Sequence, residues 1–170
     1  MMYGITGTPG TGKSSVGTEL SCRGYQVIHL VDTIQPYIIE QDRERGTAVV
    51  DEERWAKEFI PIDGFVEGHL AHYLPCDLII VLRCRPDVLE ARLRSRGYAW
   101  PKIRENAESE AMDLILSQTA VRFGDGRIHE IDTTHITIQD VTDQVERVIT
   151  GADPLVYGTL DWSEYLEYYV

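Results

Sequence analysis

Residues 2–15 read Met-Tyr-Gly-Ile-Thr-Gly-Thr-Pro-Gly-Thr-Gly-Lys-Ser-Ser, and they are the most informative part of the chain for its fold. Residues 7–14 match the pattern G-x-x-x-x-G-K-[ST], which is specific when a strand precedes it and a helix follows it. The apolar run at 2–6 predicts that strand, and residues 13–23 predict the helix, with Gly24 at the position of a left-handed C-cap. We therefore expect a phosphate-binding P-loop.

The residues of this loop have distinct expected roles. Gly10 and Gly12 allow backbone N–H groups to converge on phosphate oxygens at the positive end of the helix dipole. Lys13 is expected to reach the β and γ phosphates, Ser14 to offer its hydroxyl to Mg²⁺, and Ser15 to donate to the α phosphate. The loop thus predicts ATP as co-substrate and Mg²⁺ as cofactor.

The rest of the chain alternates short apolar runs with helical patterns, which is typical of a parallel sheet with crossover helices. Further strands are predicted at 26–30, 64–67, 78–82 and 128–131, and further helices at 86–96, 102–123 and 136–149. Between the second and third strands, a mixed helical stretch at 32–45 and a short helix at 51–59 form an insertion. The predicted fold is α/β, a P-loop NTPase with a parallel five-stranded sheet and helices on both faces.

A carboxylate beyond the end of a neighbouring strand is the second requirement of a Mg²⁺ site. Glu67 follows the apolar residues Phe65 and Val66 and meets this requirement. We assign it to the water shell of the metal or to the activation of water, and the alternative is a surface carboxylate. His69 either polarises the γ phosphate or a water, or is structural, and the sequence favours neither.

Arginines are needed over the phosphates because phosphoryl transfer spreads negative charge over the migrating group. Arg92 and Arg96 share a helix face at i, i+4 spacing, just before a break at Gly97 where a lid could hinge. Arg96 is the first choice for this role, and the alternative is an exposed arginine face. Asp32 is expected either to contact the acceptor substrate or only to cap a helix.

Composition restricts the class of protein. The net charge of −12 argues against non-specific binding to DNA or to an anionic membrane, while a basic protein partner stays open. The three cysteines are odd in number and form no Cys-x-x-Cys pair, so neither disulfides nor a zinc site is indicated. With no signal peptide or apolar run of spanning length, a cytoplasmic protein without membrane contact is expected.

Four segments together point to a known family. They are Val-Val-Asp-Glu-Glu-Arg at 49–54, Glu-Gly-His at 67–69, Arg-Leu-Arg-Ser-Arg-Gly-Tyr at 92–98 and Lys-Ile-Arg-Glu-Asn at 102–106. With the P-loop, they resemble the adenylate kinase isoenzyme six family, which comprises short adenylate kinase-like NTPases of archaea and the eukaryotic nucleus. The resemblance extends over residues 1–149. Two features depart from the family pattern: Glu67 stands where an aspartate is usual, and Trp100-Pro101 stiffens a segment that is usually polar.

The resemblance implies transfer of the γ phosphate of ATP to AMP or a related monophosphate. It implies a monophosphate-binding segment at about 29–50 and a short lid at about 95–105, with Arg96 as the nucleotide-contacting lid arginine. The family also hydrolyses ATP and helps to assemble the small ribosomal subunit together with a ribosomal protein. Such a protein is basic, which would suit the acidic chain.

The chain is expected to comprise a kinase domain at 1–150 and a tail at 151–170. In the tail, an apolar stripe recurs at i, i+3, i+4 and i+7, namely Trp162, Tyr165, Leu166 and Tyr169. This pattern predicts a short helix docked on the domain, and the alternative is a surface that binds a partner or a second copy.

Overall fold

A computed structural model of the protein describes residues 1–42 and 47–169. In chain order, the strands are β1 (Met2–Thr6), β2 (Val27–His29), β3 (Ile38–Asp42), β4 (Thr47–Val50), β5 (Gly64–Glu67), β6 (Leu78–Arg83) and β7 (Ile128–Asp132). Five of them form a parallel sheet in the order β2-β5-β1-β6-β7, while β3 and β4 form a separate antiparallel pair.

The α-helices cover both faces of the sheet. They are α1 (Lys13–Cys22), α2 (Glu52–Glu58), α3 (Pro86–Ser95), α4 (Trp100–Ala111), α5 (Leu114–Phe123) and α6 (Ile138–Ile149). On one face, α1 and α6 pack through Leu20 and Val145 against a cluster that includes Ile80. On the other face, Trp55 of α2 and Leu116 of α5 join a second buried cluster. The predicted fold class is thus confirmed.

Strand β6 lies deepest, since every side chain from Ile79 to Arg83 is buried. Burial of each large aliphatic side chain stabilises the fold by about 1.5 to 3 kcal/mol, and the β-branched residues of this strand suit its pleated backbone. Strand β1 lies between β5 and β6, so the loop that follows Thr6 emerges between the carboxyl ends of two neighbours. Ligands of open parallel sheets bind at this edge.

The helical stretch predicted at 32–45 is wrong where the structure describes it. Two short 3₁₀ turns, Leu30–Asp32 and Gln35–Tyr37, are followed by β3, which pairs with β4; residues 43–46 lie outside the described part of the chain. Pro36 opposes a continuous helix, and the β-branched Ile38 and Ile39 favour a strand. Asp32 therefore caps no long helix.

The single helix predicted at 102–123 is divided into α4 and α5. Asp113 stands between them with a φ of 53°, in the left-handed region that short polar side chains tolerate best among non-glycine residues. Its carboxylate contacts the guanidinium of the buried Arg83. A tertiary ion pair thus accompanies the turn, which is why local propensity alone did not reveal it.

The tail forms a 3₁₀ helix, Ser163–Tyr168, that packs against α4. Tyr169 is buried beside Ala107 and Ala111, and its hydroxyl donates to Glu90 Oε1 of α3 at 2.6 Å. The stripe residues Trp162, Tyr165 and Leu166 face the same cluster. Across residues 1–42 and 47–169, no helix combines the length and apolar character that crossing a membrane requires.

Candidate active site

The backbone of the P-loop approaches its surroundings too closely for side chains at two of its glycines. Gly7 has a φ of 144°, and a Cβ there would lie 2.3 Å from the carbonyl oxygen of Leu82. Gly10 has a φ of 96°, and a Cβ there would lie 2.7 Å from Leu89 Cδ1. Only glycine fits both positions, because L-residues avoid these conformations and the neighbours are buried.

Threonine hydroxyls hold the loop in shape. Thr11 Oγ1 donates to the Thr8 carbonyl at 2.9 Å, and Thr133, just after β7, donates to the Thr11 carbonyl at 2.9 Å. Gly12 is the N-cap of α1 and supplies no capping side chain. The first N–H groups of α1 therefore remain available to an anion, as P-loop chemistry requires.

Lys13 folds back over the loop, where its Nζ donates to the Thr8 carbonyl at 3.0 Å. Burial lowers the pKa of Lys13 to about 8, the negative charges of Glu67 and Glu110 oppose this shift, and the positive charge of Arg96 adds to it. The ammonium is thus held in a desolvated position where an incoming phosphate would stabilise its charge.

Glu67 ends β5 beside the P-loop and is 3% exposed. Its Oε1 lies 2.6 Å from Nδ1 of His29, the last residue of β2, which sequence reasoning missed. A Cβ at Gly17 of α1 would lie only 3.0 Å from Glu67 Cγ, so the missing side chain at Gly17 makes room for the glutamate. The carboxylate is a buried group rather than the surface carboxylate of the alternative interpretation.

His69 is exposed, while its carbonyl accepts a hydrogen bond from Thr6 Oγ1 at 3.2 Å. Crowding by protein atoms lowers the pKa of the ring, and the charges of Lys13 and Lys102 lower it further, although part of the residue faces solvent. A neutral imidazole near Lys13 can accept or donate one hydrogen bond to a ligand. Both roles considered for His69 remain predictions.

The predicted Mg²⁺ ligands agree in chemistry with what that ion prefers. Ser14 is exposed on the first turn of α1, and the negative charge of Glu67 raises the pKa of Lys13, the residue next to Ser14. Within the described residues, no cluster of three or more His, Cys, Asp or Glu side chains suited to a metal occurs. Mg²⁺ is usually held by few protein oxygens together with water and substrate phosphates.

A pocket of about 350 Å³ opens beside the loop. Its walls bring together several of the predicted residues, Gly10, Gly12, Ser15, Arg92 and Arg96, with Thr133 and Thr137 from the segment after β7. Exposed Arg96 ends α3 and is the more available arginine. The guanidinium of Arg92 instead donates hydrogen bonds to the carbonyls of Thr133 at 2.6 Å and Thr134 at 3.3 Å. Arg92 therefore stabilises the wall of the pocket.

Asp32 is not among the residues that line the pocket beside the P-loop. It is exposed in the 3₁₀ turn Leu30–Asp32 after β2, and within residues 1–42 and 47–169 no hydrogen bond or ion pair joins it to the loop. Its contact with an acceptor substrate remains a prediction. The monophosphate-binding segment predicted at 29–50 includes residues 43–46, which lie outside the described part.

A buried ion network stands behind the loop and was not expected from the sequence. Arg83 is 1% exposed, and its guanidinium contacts Glu110, Glu130 and Asp113. Glu110 also accepts hydrogen bonds from Thr8 Oγ1 of the P-loop and from the Cys84 N–H. The strand-end position of Arg83 was visible in the sequence, whereas no sequence pattern indicated which carboxylates it would meet.

Comparison with known proteins agrees with this geometry. The family model described as an AAA domain matches residues 4–113. A protein of Archaeoglobus fulgidus named "Putative adenylate kinase" is 40% identical over 98% of this chain and 94% of its own. One of Natronomonas pharaonis with the same name is 40% identical over 98% of this chain and 100% of its own.

Among solved structures, a gluconokinase from Sinorhizobium meliloti 1021 is similar to this chain with a TM-score of 0.60 and 19% identity, over 89% of this chain and 94% of that one. At that identity, the likeness establishes the fold alone. The two archaeal relatives, which align over nearly the whole of this chain, identify the family. The chain belongs to the adenylate kinase-like family that these archaeal relatives represent.

Proposed function

We propose that the chain is a nucleoside monophosphate kinase, which transfers the γ phosphate of ATP to AMP or a related monophosphate. One observation carries the proposal: Lys13 lies buried in the P-loop, where its charge interacts with those of Glu67, Glu110 and Arg96. Phosphoryl transfer needs positioning and charge stabilisation more than covalent chemistry, and these groups are of the types that supply both.

Each group has a proposed role. Lys13 neutralises the β and γ phosphates, helped by the N–H groups at the start of α1. Arg96, at the end of α3, approaches the migrating group as the lid at about 95–105 closes. His69 hydrogen bonds to a phosphate oxygen or to a water.

Mg²⁺ would be held by the Ser14 hydroxyl and, through water, by Glu67, and it would supply positive charge against the phosphate oxygens. His29 holds the Glu67 carboxylate at 2.6 Å and so fixes its orientation within the site.

The names of the relatives and the monophosphate kinase-like pattern support AMP as the acceptor. The finer alternative is an ATPase that assists assembly of the small ribosomal subunit together with a basic ribosomal protein. The net charge of −12 suits such a partner but does not by itself select it.

The test is a separation of nucleotide products after the purified protein is incubated with ATP and Mg²⁺, with and without AMP, CMP, UMP or GMP. We expect ADP to form quickly only when a monophosphate is present, and the Lys13→Met variant to be inactive. ADP and free phosphate formed equally fast without an acceptor would contradict the kinase and favour the ATPase. Normal turnover by Lys13→Met would contradict the P-loop assignment itself.

A further inference from the structure

A second pocket, of about 470 Å³, lies between α2, α5 and the 3₁₀ turn Ala71–Tyr73. None of its lining residues belongs to the pocket beside the P-loop. Its volume falls within the range of about 300 to 1,000 Å³ that is common for small-molecule sites. It therefore requires an explanation separate from that of the nucleotide site.

The charges around this pocket have one sign. Lys57, Arg122 and Arg127 line it, and no carboxylate is among the described residues of its wall. Within the described residues, none of these three cations lies within ion-pair distance of an acidic side chain. Arg23, Arg54 and Arg147, in contrast, each form an ion pair. Although the chain has a net charge of −12, these three cations make the electrostatic potential around the pocket positive, which favours the binding of an anion.

Both arginines are held in place before any ligand arrives. The Arg122 guanidinium stands 4.0 Å from the centroid of the Tyr73 ring, in cation–π geometry. The Arg127 Nε and Nη2 donate to the Phe123 carbonyl at 3.1 and 2.7 Å. A guanidinium carries five N–H donors, so each arginine keeps donors for a ligand while losing little side-chain entropy on binding it.

A buried polar atom also lacks a partner in this wall. His72 is 2% exposed, its Nδ1 lies 3.3 Å from Thr6 Oγ1, and its Nε2 is buried without a hydrogen bond. Gln118 lies beside the ring but does not reach Nε2 in hydrogen-bonding geometry. Thr6 gives its single hydroxyl proton to the His69 carbonyl, so Nδ1 of the neutral ring carries the ring proton and donates it to Thr6 Oγ1, while Nε2 is a buried acceptor without a partner.

We propose that this pocket binds a phosphate-bearing small molecule. Arg122 and Arg127 donate hydrogen bonds from their guanidinium groups to the phosphate oxygens, and Lys57 adds positive charge. Phosphate suits this set better than a carboxylate, because two guanidinium groups and an ammonium match its three peripheral oxygens and its higher charge. The proposal does not depend on the kinase function.

The first experiment measures thermal unfolding in rising inorganic phosphate at constant ionic strength. The Lys13→Met variant serves as the background, because the P-loop also attracts phosphate. A ligand that binds only the folded state raises the unfolding temperature, so we expect the background variant to keep a phosphate-dependent rise. Adding Arg122→Gln and Arg127→Gln should weaken the apparent phosphate affinity about tenfold or more, as the loss of charge-assisted hydrogen bonds predicts.

Arg147→Gln in the same background is the matched control, since it removes an exposed arginine of α6 far from the pocket wall. It should leave the phosphate response intact. An equal response in the Arg122→Gln, Arg127→Gln variant would overturn the proposal, as would a response absent from the Lys13→Met background. Acetate serves as a second ligand, and a response to acetate as large as that to phosphate would refute the preference for phosphate.

A second readout uses the imidazole ¹⁵N resonances of the protein. In the Lys13→Met background, inorganic phosphate should shift the Nε2 resonance of His72 and leave that of the exposed His135 nearly unchanged. The same titration on the Arg122→Gln, Arg127→Gln variant should not move His72. Equal movement of both histidines, or none at His72, would show that the anion does not occupy this pocket.

Discussion

His29 Nδ1 lies 2.6 Å from Glu67 Oε1, and this contact joins the ends of two neighbouring strands at the edge of the sheet that carries the P-loop. The carboxylate has little freedom as a result, because it is 3% exposed and its side chain packs against Gly17. We infer that His29 is a positioning residue that acts through Glu67.

Replacing His29 with alanine should therefore slow turnover. We expect the activation free energy for kcat to rise by about 1.5 to 3 kcal/mol, the usual value of one hydrogen bond to a charged group, while KM for ATP changes little. His29→Gln, which keeps a donor, should recover part of the loss. His135→Ala removes an exposed histidine and is the control. An unchanged kcat in His29→Ala would remove the proposed positioning role.

ATP binding should take up a proton in mildly alkaline solution. Burial lowers the pKa of Lys13 to about 8, so the amine of the free protein becomes neutral as the pH rises through that value. Phosphate stabilises the charged form and raises the pKa, so affinity is highest below pH 8 and falls above it, by at most about tenfold per pH unit.

Calorimetry at pH 7 and pH 9, in buffers of different ionisation enthalpy, measures this uptake directly. Lys13→Arg provides the control, because a guanidinium does not titrate in this range and should abolish the proton exchange. Equal uptake by Lys13→Arg and by the wild-type protein would assign the proton to another group.

Arg96→Ala should slow phosphoryl transfer by about 2 to 4 kcal/mol if its guanidinium meets the charge that develops on the migrating group. Single-turnover kinetics isolates this step from nucleotide release. Arg94→Ala is the matched control, since Arg94 is also exposed near the end of α3 but its guanidinium stands 5.8 Å from the ring centroid of Trp100. A similar loss in both variants would indicate a general effect of lid charge.

Arg83→Met should destabilise the protein strongly. Glu110 and Glu130 would stay buried without their shared cation, and breaking a buried pair in this way costs about 3 to 5 kcal/mol. Urea unfolding measures the free energy. Removing Arg147, whose side chain is 63% exposed in its pair with Asp153, should lower the free energy of unfolding far less, because solvent screens an exposed pair. Equal losses would mean that the Arg83 network contributes no more than a surface pair.

The sequence was most informative where the local residue pattern and the place of the segment in the tertiary structure favour the same element. The loop at 7–14 needs a strand before it and a helix after it, and both β1 and α1 begin within one residue of the prediction. Strand β6 was equally clear, because its apolar run is too short for a typical helix, and the structure buries it from Ile79 onward.

The sequence was less informative where contacts between distant segments decide the structure. The turn at Asp113 lacks glycine and proline, and its carboxylate meets Arg83, which is 30 residues away in the chain. The pairing of His29 with Glu67 spans 38 residues and depends on the parallel register of β2 and β5. Pro36, in contrast, is a local signal against the helix predicted there, because proline cannot donate a helical hydrogen bond.

The contact of Gly17 with Glu67 links two positions in their evolution. A glycine inside α1 gives up about 1 kcal/mol of helix stability relative to alanine. Here its lack of a Cβ leaves room for the Glu67 side chain, since a Cβ would stand 3.0 Å from Glu67 Cγ. Because an aspartate also carries a γ carbon, a shorter carboxylate would not relieve this contact. Among descendants of this chain, Gly17 should therefore persist wherever position 67 keeps an acidic side chain.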